Sequence, residues 1–163
     1  MNDKTRGNPA AVAASENTDA AAPPAPMHYN PLDPNDPTTL FALSNQFSVL
    51  STAMTQYVYD HYKDLSSDQR YSIAINASGL MSKANDLLND DMAKRLAGLP
   101  TNAIAASTAA MKDAVANLQT VEKVFKIATA AVTVYAGIAT GGAAGASLAF
   151  KAAQSLMQVA TGA

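Results

Sequence analysis

Apolar side chains recur at alternating steps of three and four residues along most of the chain that follows position 37. The first run predicts a helix over about residues 38–63, because heptad spacing aligns its members along one helical face. The run consists of Leu40, Leu43, Phe47, Leu50, Met54, Tyr57 and His61. Thr38 or Asp36 is expected to cap this helix.

The opposite face of this helix carries Ser44, Ser48, Ser51 and Thr55. No charge occurs from 37 to 59, which predicts a second packing partner for the helix.

A second helix is predicted over about residues 67–97. Ser66 is a capping residue, and Asp68 places a carboxylate in the first turn, where the helix dipole favours negative charge. The apolar stripe of this helix is Ile73, Ala77, Leu80, Ala84 and Leu87. Oppositely charged i,i+4 pairs support its last turns, and they are Asp90–Lys94 and Asp91–Arg95. Gly98 and Pro100 are expected to end it.

The longest heptad run predicts one uninterrupted third helix from about 101 to 139, capped by Thr101 or Asn102. Its members are Ile104, Ser107, Met111, Ala114, Leu118, Val121, Phe125, Ala128, Val132, Tyr135 and Ala139. At 1.5 Å per residue such a helix is about 58 Å long, which is more than a compact domain of this size needs. The run therefore predicts an elongated helical bundle or coiled-coil hairpin.

Adjacent glycines, Gly141 and Gly142, interrupt the pattern and predict a turn. A fourth helix is predicted over about 143–160. It has an apolar side of Leu148, Ala152, Leu156 and Val159, and a polar stripe of Ser147, Lys151, Gln154 and Gln158. The predicted fold class is all-α, with about four helices over residues 38–163 that include a Gly/Ala-rich apolar hairpin at about 127–160.

Residues 1–37 differ in composition and are predicted to be a disordered Ala/Pro-rich tail. Prolines exclude a regular helix there, and few large apolar residues are present to offset the entropy of ordering. These prolines are Pro23, Pro24, Pro26, Pro31, Pro34 and Pro37. No apolar segment typical of a secretory signal follows Met1. Residence in the bacterial cytoplasm and export by a route without a cleavable signal are both open.

The charge content points to a buried or lipid-facing surface. Charged residues make up 15% of the chain, against about 25% in ordinary soluble domains, which favours self-association or contact with a membrane. The formal net charge of −2 gives no basic field, so nucleic acid is not an expected partner.

An uncharged stretch of 24 residues separates Lys126 from Lys151. As one helix it is long enough to cross a bilayer. Gly137, Gly141 and Gly145 recur at every fourth position, a spacing that lets helices approach closely. The stretch is rich in Ala, Gly and Thr, however, and three interpretations are open: a soluble core hairpin, conditional membrane insertion and a permanent span.

No residue set typical of a catalytic, cofactor or metal site is found. The absence of cysteine excludes disulfides and thiolate metal sites. His28 lies in the tail, and His61 has Asp60 and Asp64 beside it without a second histidine at ligand spacing. The stretch that begins at Thr140 does not have the first glycine of a dinucleotide loop. We expect a non-catalytic protein without a cofactor.

In layout the chain resembles the small helical components of bacterial α-pore-forming toxins and of secretion translocators, which combine a polar N-terminus, long amphipathic helices and one Ala/Gly-rich apolar hairpin. The resemblance covers organisation and no motif, and it implies a self-associating protein that acts at a membrane. The residues expected to dock on lipid or pack the hairpin are Val132, Tyr135, Gly137, Ile138, Gly141, Gly142, Gly145, Leu148 and Phe150. The alternative is a soluble coiled-coil subunit of a filament or shell, or a binder of a helical protein. Its interchain seam would comprise Leu40, Phe47, Leu118, Phe125 and Val132.

Overall fold

The protein is all-helical over the part of the chain that its computed structural model describes, which is residues 33, 35–89, 92 and 99–162. Five helices occur in these residues, where about four were predicted. They are α1 (Leu40–Asp60), α2 (Ser67–Leu87), α3 (Thr101–Val115), α4 (Val121–Thr140) and α5 (Gly142–Thr161). The difference arises because the predicted third helix is divided in two.

The start of α1 is fixed by Thr39, so the prediction of Thr38 or Asp36 as its cap was wrong. The Thr39 hydroxyl accepts a hydrogen bond from the Ala42 N–H at 3.1 Å and donates to the Asp33 carbonyl oxygen at 2.8 Å. The Asp36 carboxylate instead accepts from the N–H and hydroxyl of Thr38. These two hydrogen bonds stabilise the charged form and lower the pKa of Asp36.

The packing partner predicted for the uncharged face of α1 is found for part of that face, and it is α2; Ser48 is half-buried and Thr55 is exposed. Ser44 and Ser51 are buried, and their hydroxyls donate to the carbonyl oxygens of Ala84 and Ala77, each at 2.7 Å. The pairing of 44 with 84 and of 51 with 77 shows that the two helices run antiparallel. The seam predicted on α1 is buried from Leu40 to Tyr57, which places it in the chain's own core.

The predicted start of α2 is confirmed and its predicted end is not. Ser66 and Gln69 form a reciprocal capping box, in which each side chain accepts a hydrogen bond from the other residue's backbone N–H. The helix ends at Leu87, ten residues before the predicted end. The pairs Asp90–Lys94 and Asp91–Arg95, and Gly98, lie outside the described residues. Pro100 is the N-cap of α3 and contributes no side-chain hydrogen bond, so neither Thr101 nor Asn102 is the cap.

The prediction of one uninterrupted helix from 101 to 139 was wrong, because the chain leaves the helical conformation over residues 116–120. Thr120 begins a new helix: its hydroxyl accepts from the Lys123 N–H at 3.2 Å, and Glu122 lies in the first turn. The heptad register continues through Leu118 and Val121, which both pack against the core. Periodicity alone therefore did not reveal the break.

The break gives the two halves of the predicted helix different neighbours. α3 contacts α1 and α5, whereas α4 contacts mainly α5 and, to a smaller extent, α2. Buried side chains from all five helices form one apolar core. The largest fully buried ones include Phe47, Leu80, Met111, Ile127 and Leu156.

The predicted turn between the last two helices is confirmed at the adjacent glycines. Gly141 is the residue that separates α4 from α5, and Gly141 and Gly142 have φ angles of +69° and +62°. Residues with a Cβ rarely adopt a backbone conformation with positive φ, which explains why glycine occupies both positions. The polar stripe predicted for α5, Ser147, Lys151, Gln154 and Gln158, is exposed.

Candidate functional site

The hairpin formed by α4 and α5 holds its helices together through glycine. A Cβ added to Gly137 would lie 2.5 Å from the backbone nitrogen of Ala149 and 2.8 Å from the carbonyl oxygen of Gly145. A Cβ on Gly145 would collide with the carbonyl oxygen of Gly137. We call this mutual approach the glycine contact. The small residues that the sequence placed at every fourth position therefore serve a packing interface within this chain.

The outer side of the hairpin is uncharged. Val132 is 37% exposed, and Leu148 and Phe150 are each 40% exposed. We define the outer hairpin surface by the exposed and uncharged set Thr129, Val132, Ala136, Thr140, Gly142, Ala143, Ala144, Ser147, Leu148 and Phe150. This surface presents methyl, methylene, ring and hydroxyl groups to its surroundings and no formal charge.

Charged groups border the outer hairpin surface on both helices. Lys126 makes an i,i+4 ion pair with Glu122 at 2.6 Å, and both side chains are exposed. The hydrogen bond from Lys126, followed by its charge, lowers the pKa of Glu122. Lys151 is exposed on α5. The uncharged surface thus has cationic side chains at its edges, where long aliphatic stems can reach a polar boundary.

Tyr135 joins the hairpin to the first two helices. Its hydroxyl donates to a carboxylate oxygen of Asp86 at 3.3 Å, and its ring meets Phe47 edge-on with centroids 6.4 Å apart. The ammonium of Lys83 lies 5.3 Å from the ring centroid, within the range of cation–π attraction. Tyr135 therefore faces inward, toward α1 and α2, and is a link between the hairpin and the remaining helices.

The predicted hairpin residues separate into three groups by exposure. The outward group is Val132, Gly142, Leu148 and Phe150, and the buried group is Gly137, Ile138 and Gly145. Gly141 and Tyr135 are half-buried. The sequence predicted the hairpin segment, whereas the structure was needed to show which of its side chains face outward.

The residues predicted for an interchain seam lie at three different depths, and Val132 is the exposed one. Leu40 and Phe47 are buried in this chain's core, whereas Leu118 and Phe125 are half-buried at its edge. Phe125 lines an open groove of about 560 Å³ along α4 and α5, together with Lys126, Thr129, Ala130, Thr133, Ala152, Ser155 and Val159. An interchain seam stays a prediction, and the groove beside Phe125 is its accessible part.

Titratable groups of the described residues do not converge on a metal site. No group of three His, Cys, Asp or Glu residues is positioned to hold a metal ion among them. His61 stacks on Tyr57 with ring centroids 4.2 Å apart, and its Nδ1 lies 3.1 Å from the Tyr57 carbonyl oxygen. Burial and then the Asp64 carboxylate raise the pKa of the Tyr57 phenol. Every buried side-chain nitrogen or oxygen in the described part has a hydrogen-bond partner.

An exposed aromatic cluster where α1 leads into α2 was not predicted from the sequence. Tyr59 and Tyr71 are 71% and 70% exposed, and Tyr62 is exposed beside them. These rings line a groove that we call the tyrosine groove, with Thr55, Val58, Arg70 and Ala74 as its other residues. The available signal was three tyrosines outside the heptad positions, on either side of a helix boundary.

The membrane interpretation has limited support from composition. Over the described residues α4 is the one helix long and apolar enough to cross a bilayer, and 44% of its most apolar stretch is buried in the protein. The core helix of a soluble protein has the same composition. No protein-family model, curated protein or solved structure matches this chain.

Proposed function

We propose that this chain is a non-catalytic, self-associating helical protein that acts at a membrane through the α4–α5 hairpin, as a pore-forming or translocator-like component. The observation that carries the proposal is the outer hairpin surface, which exposes Val132, Leu148 and Phe150 and has no charge between Lys126 and Lys151. Each charged side chain at the centre of a bilayer costs about 2.5–3.5 kcal/mol on insertion scales. The hairpin avoids this cost over 24 consecutive residues.

The glycine contact supports movement of the hairpin as one unit. Helices in lipid associate through close van der Waals packing of small residues, which does not depend on the exclusion of water. The contact of Gly137 with Gly145 and Ala149 is of this kind. In the proposal the five helices form one elongated bundle in water, and the paired α4 and α5 leave α1, α2 and α3 for lipid without separating from each other.

To leave the other helices, the hairpin must separate α4 from α2 and α5 from α3. The hydrogen bond from Tyr135 to Asp86 is long, at 3.3 Å, and a bond of this length near the surface contributes little. The hairpin must also give up the cation–π contact between Lys83 of α2 and Tyr135 and the packing of α5 against α3. Lipid can replace the apolar part of these contacts. Self-association would then use the groove beside Phe125 and its neighbours Thr129 and Thr133, which a second hairpin can fill.

Binding to liposomes tests the proposal. We expect the natural chain to float with anionic vesicles and to release an entrapped dye, and Val132→Lys and Leu148→Lys to weaken both effects. The control is Val49→Lys on α1, because Val49 is 39% exposed and thus matches Val132 in residue type and exposure. The proposal is wrong if no condition of pH gives lipid association while the hairpin stays protected from proteolysis, or if the three variants behave alike.

A soluble coiled-coil subunit, or a binder of a helical partner, is the second candidate. The observation that favours it is the outer face of α1, where Asn45, Val49, Thr52, Gln56 and Tyr59 are exposed and uncharged. The distinguishing measurement is mass against concentration in buffer without lipid. Phe125→Asp should dissociate an oligomer that uses the groove between α4 and α5. A variant that keeps the oligomeric mass would place the interchain contact elsewhere.

A further inference from the structure

We propose that the tyrosine groove binds the chain's own proline-rich stretch, Pro23-Pro24-Ala25-Pro26, in the polyproline II conformation. The groove lies on α1 and α2, remote in sequence from the hairpin, so this inference is independent of the proposed membrane activity. It gives the N-terminal segment a specific contact on the folded helices.

The walls of the groove have the chemistry that recognises extended proline-rich chains. Tyr59 and Tyr71 expose their rings, and grooves lined by aromatic rings hold proline rings against flat apolar faces. The phenol hydroxyls add donors for the backbone carbonyls of a polyproline II helix, which has no internal hydrogen bonds and leaves these carbonyls free.

Arg70 fixes one wall of the groove. Its guanidinium lies 4.1 Å above the ring centroid of Tyr62 and donates to the carbonyl oxygens of Tyr62 and Leu65 at 2.7 and 3.1 Å. A third hydrogen bond, of 3.0 Å, reaches the hydroxyl of Ser67. The wall formed by Tyr62 and Arg70 is therefore held in place by hydrogen bonds before any ligand binds, which reduces the entropy lost on binding.

The length of the N-terminal segment matches the distance to the groove. Asp33 is bound to Thr39 at the start of α1, and the groove begins at Thr55 and continues past Tyr59. At 1.5 Å per residue these positions lie about 24–30 Å along the helix from Thr39. The proline stretch precedes Asp33 by seven to ten residues, or about 22–31 Å in polyproline II geometry.

The face of α1 along this path is suited to an extended chain. Ser48, Thr52, Thr55, Tyr59 and Tyr62 follow each other at steps of four and three, opposite the buried seam. A shallow depression next to this row, which shares Ser48 and Thr52 with it, is lined by Ser48, Val49, Thr52, Ala53 and Gln56. No charged residue interrupts this face between Thr38 and Tyr59, so Met27, Tyr29 and Leu32 of the N-terminal segment can contact it without stripping water from a charge.

Paramagnetic broadening in the full-length protein tests the contact directly. Because the chain has no cysteine, Ala22→Cys provides a single attachment point for a nitroxide next to the proline stretch. We expect the backbone amide signals of Tyr59, Tyr62 and Tyr71 to lose most of their intensity, while those of residues 142–148 keep theirs. Uniform weak broadening over the whole surface would overturn the proposal.

Two sets of variants separate docking by ring-to-proline contact from other causes. Tyr59→Ala with Tyr71→Ala should restore the remaining groove signals, and these exposed rings can be removed without unfolding the core. Pro23→Gly, Pro24→Gly and Pro26→Gly together should restore them as well. The control is Leu88→Ala, an exposed apolar residue just after α2, which should leave the broadening unchanged. Persistent broadening in either set would contradict the proposal.

A mixed sample identifies the chain that occupies the groove. Nitroxide-labelled chains without isotope label are mixed with isotope-labelled chains that carry no nitroxide. We expect no loss of the groove signals in this mixture, since the occupant belongs to the same molecule. Loss of those signals would overturn the intramolecular contact and show that a second copy fills the groove.

Discussion

α1 and α2 pack through large side chains and buried hydroxyls, whereas α4 and α5 add to their buried side chains a direct contact between the two backbones. The first pair places Leu43, Phe47 and Leu50 in the core and adds two hydroxyl-to-carbonyl hydrogen bonds across the interface. The second pair brings two backbones together at Gly137 and Gly145. Burial of large apolar groups depends on water as the solvent, whereas close backbone contact persists in lipid. In the proposed function, the glycine contact is therefore the part of the fold that would persist when the hairpin enters lipid.

The largest effect on stability is expected at the interface of α1 and α2, which is filled by large side chains. Phe47 is completely buried, so Phe47→Ala should lower the free energy of unfolding by about 3–5 kcal/mol. The matched control is Phe150→Ala, since Phe150 is 40% exposed on the hairpin and its loss should lower the free energy of unfolding by only about 1 kcal/mol. Urea denaturation followed by circular dichroism measures both values. Equal losses would show that Phe150 is as buried as Phe47.

Glycine-to-alanine substitutions at two positions are expected to change the free energy of unfolding in opposite directions. Gly145→Ala inserts a methyl group into the glycine contact and should destabilise the protein by about 1–3 kcal/mol. Gly79→Ala on α2 meets no atom within 4 Å and should stabilise the protein by about 0.5–1 kcal/mol, because alanine is the better helix former. Thermal or urea unfolding of the two variants gives the comparison. Stabilisation by Gly145→Ala would mean that the two backbones are farther apart than described.

The smallest effect on stability is expected from acidification. It concerns one carboxylate before α1, Asp36, and one in the first turn of α4, Glu122. The pKa of Asp36 is lowered by hydrogen bonds from Thr38, and that of Glu122 by Lys126. A folded-state pKa below the unfolded value contributes stability above the unfolded pKa, and this contribution is lost as the pH falls through the folded-state pKa. Asp36→Asn and Glu122→Gln should each slightly reduce the loss of stability on acidification below their ordinary values of 3.8 and 4.5.

Salt distinguishes the two carboxylates. The charge of Lys126 contributes to the shift at Glu122, and salt screens the attraction between exposed charges. The contribution of Glu122 should therefore shrink in concentrated salt, while that of Asp36, which rests on hydrogen bonds from neutral groups, should persist. Unfolding midpoints measured against pH at two salt concentrations check this difference. The same salt dependence for both variants would contradict the assigned causes.

Local chemistry made parts of the fold predictable and left others hidden. The seam from Leu40 to Tyr57, the Ser66 cap and the turn at Gly141 follow from periodicity, capping and positive φ, which are properties of a few neighbouring residues. The break before Thr120 does not disturb the heptad register, and only the combination of a Thr cap with Glu122 in the first turn signals it. That signal is weak in a run of good helix formers.

The candidate sites also differ in how much of them local sequence could predict. The absence of charge between Lys126 and Lys151 identified the hairpin, because composition is visible without a fold. The inward orientation of Tyr135 depends on Asp86 and Phe47, which are distant in sequence. The tyrosine groove likewise requires the antiparallel return of α2 beside α1. Contacts between remote positions have no signature in a single sequence.

The one-residue link at Gly141 also has a consequence for the order of folding. Contacts between α4 and α5 join residues close in sequence, and closing so short a loop costs little chain entropy and is fast. The docking of Tyr135 against Phe47 must instead close a loop of 88 residues, which is slower. During synthesis α1, α2 and α3 emerge before the hairpin does. The side of the Phe47 ring that Tyr135 covers is therefore expected to stay exposed until α4 and α5 have paired and docked. We therefore expect the docking of the preformed α4–α5 hairpin on α1 and α2 to be the last step of folding.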